Sequence, residues 1–91
     1  MRKFIVIMNE NVTYNVEDKE DCIKAILEEY ERFDLSMFDL LSGIEVQGFS
    51  TEDVVSIYAT CMNKADGDYI VHVRDIEEKD YTKHEFLGDV M

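Results

Sequence analysis

Between residues 17 and 33 the apolar side chains return at intervals of three and four, and no other stretch limits the fold so firmly. Ile23, Ile26, Leu27, Tyr30 and Phe33 fall on one face of a helix, while Glu20, Lys24, Glu28 and Arg32 step by four along the opposite face with alternating sign. Asp18 is placed to cap this helix. Glu17, Asp18, Glu20 and Asp21 sit where the positive end of the helix dipole favours acids. A helix with a single apolar stripe needs a second layer to bury it, and the flanking segments must supply that layer.

Lys3 to Met8 is a β-branched run, followed by Asn9-Glu10-Asn11 and a second short run, Val12 to Val16, which together predict a β-hairpin. Leu35, Phe38 and Leu41, with Met37 and Leu40 beside them, predict a short second helix that Gly43 stops. Ile44 to Phe49 alternates weakly, and Gly48 marks a bulge or bend.

The next segment carries opposed signals. Ser50-Thr51-Glu52-Asp53 has the form of a capping box, with Phe49 and Val54 as its hydrophobic staple, which favours a helix. Against that, Val54 to Met62 is rich in β-branched and aromatic residues, and Val55, Ile57, Ala59 and Cys61 fall on one face of a strand. Asp66-Gly67 is a strong turn signal and Asp68 to Ile76 alternates, so a strand-turn-strand unit is the expectation. The last fifteen residues, 77–91, are highly charged, with Tyr81, Phe86, Leu87 and Val90 as apolar anchors, and read as a short docked helix or a loose tail.

The expected fold class is α+β: a small single domain over residues 1–91, with an antiparallel sheet of four or five strands and one long amphipathic helix packed on one face. If residues 50–62 are helical, the class stands and the sheet shrinks. Proline, internal repeats and Gly/Ser linkers are all lacking, so the sequence marks no domain boundary.

Charge then narrows the partners. Twenty-one Asp and Glu stand against nine Lys and Arg, a formal net charge of −12 on 91 residues. Such a surface repels nucleic acid and anionic membrane, so the partner expected is a basic protein. With 46% hydrophobic residues the chain is too apolar for a disordered acidic segment. The apolar run after Met1-Arg2-Lys3 is only five residues, Phe4 to Met8, too short for a signal-peptide core, and no stretch approaches the ~18 apolar residues of a membrane span. A cytoplasmic location is expected on those grounds. Cys22 and Cys61 are accordingly read as buried, reduced thiols.

Motifs for chemistry fail on spacing. Were Gly67 the turn glycine of an EF-hand loop, Met62 and Val73 would occupy ligand positions, and neither offers a side-chain oxygen. His72, His84, Cys22 and Cys61 include no pair at the local spacing of a zinc site. No Ser or Cys has nucleophile framing, and Gly43, Gly48, Gly67 and Gly88 are too scattered to cradle a phosphate. Adjacent acids such as Glu28-Glu29, Glu52-Asp53 and Glu77-Glu78 read as a solvated face. A protein without catalysis, cofactor or metal is the expectation.

The acids lie mainly in two blocks. Residues 17–34 hold eight acids against three bases, a net −5, and residues 65–91 again hold eight against three. Glu17, Asp18, Glu20, Asp21, Glu28, Glu29 and Glu31 form one candidate partner-binding surface; Asp66, Asp68, Asp75, Glu77, Glu78 and Asp80 form the other. Duplex DNA carries about one negative charge per 3.4 Å along each strand, and a rigid face of carboxylates presents a comparable field to a protein built to grip phosphates. The expected function is inhibition by nucleic-acid mimicry, the design of phage-encoded anti-CRISPR and anti-restriction proteins, which this chain matches in size and charge alone. Tyr58, Tyr69, Tyr81 and Phe86 are candidate interface aromatics, each with core packing as its rival reading. The alternative function is a homo-oligomeric assembly module, a homodimer for instance, whose acidity serves only solubility.

Overall fold

A computed structural model of the chain describes residues 4–7, 13–65, 70–77 and 82–88. Their order is β1 (Phe4–Ile7), β2 (Thr13–Val16), α1 (Lys19–Arg32), α2 (Met37–Ser42), β3 (Glu45–Gln47), α3 (Thr51–Ala65), β4 (His72–Glu77) and β5 (Thr82–Gly88). The class is α+β. The strands form an antiparallel sheet in the order β2-β1-β3-β5-β4.

The hairpin of β1 and β2 has Phe4 opposite Val16 and Ile7 opposite Thr13; its Asn-rich turn lies outside the described residues. α1 begins where its cap was expected, with the Asp18 carboxylate accepting from the Asp21 N–H at 2.8 Å. It buries Cys22, Ala25, Ile26 and Glu29, with Ile23, Leu27 and Tyr30 partly buried beside them. Phe33 departs from the expected apolar face. It is the C-cap, and its extended backbone (φ −108°, ψ 148°) carries the ring out of the helical phase to 46% exposure.

Residues 51–65 correct the expectation of one long helix: α3 stands where a strand was expected, and the strand-turn-strand unit over Asp66-Gly67 is not formed. The cap and the burial available in helical phase together outweighed β-propensity. Ser50 Oγ accepts from the Asp53 N–H at 3.2 Å, and the staple residues Phe49 and Val54 are both buried. In helical phase Val54, Ile57, Tyr58, Cys61 and Met62 all reach the core. Each β-branched residue costs a helix at most about 0.7 kcal/mol. Burying one large apolar side chain returns roughly 1.5–3 kcal/mol.

The C-terminal segment is a second correction. Residues 82–88 are neither a docked helix nor a loose tail but β5, an interior strand seated between β3 and β4. Val46 on β3 faces His84 on β5, which faces Asp75 on β4. His84 is 1% exposed and Phe86 is buried, with the Phe86 ring edge-on to Phe38 of α2 (5.5 Å between centroids) and to Tyr58 of α3 (5.6 Å). Between His72↔Gly88 and Val73↔Phe86 the register slips, so that Leu87 is the extra residue of a bulge. Gly48 ends β3 at φ 98°, a left-handed conformation that glycine adopts without a Cβ clash, and its N–H reaches the Thr82 carbonyl.

Val16, Val46 and Phe86 point into one core with the buried residues of all three helices. On the reverse face of the sheet Glu45 and Glu85 face each other across β3 and β5, relieved by Lys83 beside Glu45 (3.6 Å) and Arg74 paired with Glu85. Among the described residues no helix is long and apolar enough to cross a membrane.

Candidate functional site

The first turn of α1 concentrates acid. Asp18 caps Asp21, and the Asp21 carboxylate in turn accepts the Glu17 N–H at 3.1 Å, so two of the four acids are fixed by the helix end they stabilise. Glu17, Asp18 and Glu20 are exposed and Asp21 is half-buried. Together with Lys24 they line an open hollow in the surface. Lys19 reaches across to α3, its Nζ 3.4 Å from Ser56 Oγ. Exposed Glu52 stands one turn before Ser56 on α3, which brings the acidic first turn of a second helix toward that of α1. Glu52 and Asp53 were not among the acids assigned to a surface from the sequence; the capping box was the available signal for them.

Farther along α1, Glu28 and Glu31 are exposed, whereas Glu29 is buried and leaves the candidate surface. Its phase explains this, because position 29 shares the inward face with Cys22 and Ile26. The Tyr14 hydroxyl donates to Glu29 Oε1, and the Arg32 guanidinium stands 3.8 Å from the same oxygen. Tyr14 is held above the ordinary phenol range, first by this hydrogen bond, then by burial and by the Glu29 charge, since an ionised phenol would face a carboxylate.

The second acidic surface fares differently. Asp66, Asp68, Glu78 and Asp80 lie outside the described residues, as do Tyr69 and Tyr81. Glu77 is exposed on β4. Asp75 is tied inward at one oxygen: Thr51 Oγ1 donates to its Oδ1 at 2.6 Å, and His84 Nδ1 lies 2.6 Å from that same atom. The Thr51 hydrogen bond, aided by that of His84 and opposed by burial, holds the Asp75 carboxyl below the usual carboxylate range. His84 Nε2 lies 2.7 Å from the Phe49 carbonyl oxygen. Both ring nitrogens therefore face oxygens, and hydroxyl, carboxylate and imidazole meet in one hydrogen-bonded group.

Of the aromatics considered for an interface, Tyr58 and Phe86 are core. The Tyr58 hydroxyl is fully buried and finds no hydrogen-bond partner among the described residues; burial, then the neighbouring Cys22 and Cys61, push its pKa up. Cys22 and Cys61 are free thiols, each pushed up to about 12 chiefly by burial. Among the described residues no three His, Cys, Asp or Glu side chains are grouped to hold a metal ion.

Comparison of the chain with protein-family models, with curated proteins and with solved structures finds no match.

Proposed function

We propose that the chain is a small acidic binding protein, without chemistry of its own, that covers a basic nucleic-acid-binding surface on a partner protein, as inhibitors of the anti-CRISPR or anti-restriction type do. The supporting observation is the row of carboxylates along α1 and its cap: Glu20, Glu28 and Glu31 are exposed on a helix anchored by Cys22 and Ile26, and Glu17 and Asp18 are exposed just before it. At 1.5 Å per residue the stretch from Glu20 to Glu31 runs about 17 Å, comparable to a short stretch of phosphate backbone. Lys24 and Arg32 interrupt it and lower its charge density. Rigid, pre-placed charge gains chiefly in association rate and in selection against acidic competitors.

The test is capture from host lysate with competition by DNA and RNA, repeated with Glu20→Lys, Glu28→Lys and Glu31→Lys combined. Glu29 and Asp75 are left intact because both serve the fold. The expected result is a basic partner displaced by nucleic acid and by salt, and lost in the triple variant. Capture indifferent to the triple variant and to salt overturns the proposal. A salt-insensitive homodimer by light scattering, with no basic partner captured, favours the assembly module.

A further inference from the structure

The junction between α1 and α2 exposes three large apolar side chains within six residues: Phe33 at 46%, Leu35 at 41% and Phe38 at 36%. Folding gives each of them an alternative that it does not take. Phe33 leaves the helix at its cap, Leu35 lies in the connection, and Phe38 turns outward while its neighbours Met37, Leu40 and Leu41 fill the core. The Phe38 ring meets Phe86 edge to face and leaves about a third of the side chain exposed. Single exposed apolar residues are ordinary on a surface, but three within six residues, two of them aromatic, are the composition of an interface centre.

The surroundings select the occupant. Glu31, Asp34 and Asp39 are interleaved with the three apolar residues and all are exposed; Arg32 is the one cation between residues 31 and 39, and it leans toward buried Glu29. A second copy of this chain would bring the same acids face to face, a like-charge contact that costs association. A cationic segment with apolar residues of its own meets both requirements at once, its Lys or Arg reaching the acid rim while its apolar side chains cover Phe33, Leu35 and Phe38.

We infer that the α1–α2 junction is the anchoring part of the interface and that it docks a basic amphipathic segment of the partner protein. The inference rests on the reading of the chain as a binder of basic proteins, and adds where contact is tightest and what the partner must carry besides charge. The carboxylates of α1 speed the encounter, and the apolar junction slows the release.

Two synthetic peptides with the same number of lysines distinguish charge from anchoring, one spacing the lysines with leucine and the other with serine. Calorimetric titration at about 0.15 M salt, where exposed charges more than roughly 8 Å apart are largely screened, is expected to show the leucine peptide binding at least about tenfold tighter. Phe33→Ser with Leu35→Ser should abolish that advantage while leaving the serine peptide's affinity unchanged; both positions are exposed, and a far-UV spectrum verifies the fold. Glu31→Lys with Asp34→Lys, a second variant away from the core, should weaken both peptides. Equal affinity of the two peptides, or a leucine advantage that survives the serine variant, overturns the inference and leaves the acidic-binder reading intact. No binding of either peptide overturns both.

Discussion

His84 Nδ1 lies 2.6 Å from Asp75 Oδ1, directly across the β5–β4 register, while the other ring nitrogen holds the Phe49 carbonyl at the entrance to α3. One imidazole thus joins the sheet to the start of a helix. Thr51 closes the arrangement by donating to the same carboxylate oxygen, so β4, β5 and the first turn of α3 share one polar knot.

Replacing His84 by alanine should be costly, because it removes a ring that is 1% exposed together with its contacts to Asp75 Oδ1 and the Phe49 carbonyl oxygen. Each lost hydrogen bond costs roughly 0.5–1.5 kcal/mol, before any cavity is counted. Urea denaturation of H84A beside the parent chain measures it, and a loss below about 0.5 kcal/mol would contradict the role of the knot.

Asp75 gives stability a pH dependence with a defined sign. Its folded pKa is lowered, so its contribution is fully present above the unfolded value of about 3.9 and is lost as pH falls through the folded value. Denaturation midpoints measured between roughly pH 5 and pH 2 should fall less steeply in Asp75→Asn than in the parent.

Tyr14 acts at the other end of the scale. Its folded pKa is raised, so the contribution of the Tyr14–Glu29 contact is fully present below the unfolded value of about 10 and is lost as pH rises through the folded value. Alkaline titration followed by phenolate absorbance should show a late-ionising tyrosine that Tyr14→Phe removes. Amplitude lost instead near the ordinary phenol value of about 10 in that variant would show that Tyr14 ionises normally.

Tyr58→Phe is expected to stabilise the fold by about 1 kcal/mol, since it deletes a buried hydroxyl that has no partner among the described residues and keeps the ring against Phe86. Thermal unfolding decides this, and a lowered melting temperature would reveal a bond that the hydroxyl does make.

Ser50→Ala removes the cap of α3 and should cost about 1 kcal/mol, with Ser50→Asp retaining most of the parent stability. Chemical denaturation of the two variants provides the comparison.

The legible parts of the fold are those where one local signal acts alone. The period of α1, its Asp18 cap and the paired runs of the β1–β2 hairpin meet no competing pattern, and each stands close to where it was expected. Residues 50–65 carry two patterns at once, a capping box in Ser50 to Asp53 and the β-branched or aromatic Val54, Val55, Ile57, Tyr58 and Thr60. Tertiary burial decided between them, because only the helical phase sends Val54, Ile57, Tyr58 and Cys61 inward together, positions that a strand would divide between its two faces. β5 is hidden for another reason. Its inward positions are a histidine and a phenylalanine, and a charged-looking Lys83-His84-Glu85 does not announce an interior strand whose histidine is satisfied by distant partners.

The candidate site divides in the same way. Exposed Glu20, Glu28 and Glu31 follow from helical phase, and the same phase, extended from Cys22 and Ile26, identifies Glu29 as inward. Asp75 offered no such hint, since Thr51 and His84 meet it only through tertiary structure. Phe33 was read as part of a buried stripe because a periodic pattern does not say at which residue the helix stops.

The placement of β5 sets a timetable for assembly. β1, β2, β3 and β4 all leave the ribosome earlier, yet β3 and β4 do not touch each other and are joined only through residues 82–88. A nascent chain ending before Thr82 holds one ladder, β2-β1-β3, with an open edge at β3 and a β4 segment that has no strand to pair with, and the sheet is completed in one late insertion, once the connecting strand has been made.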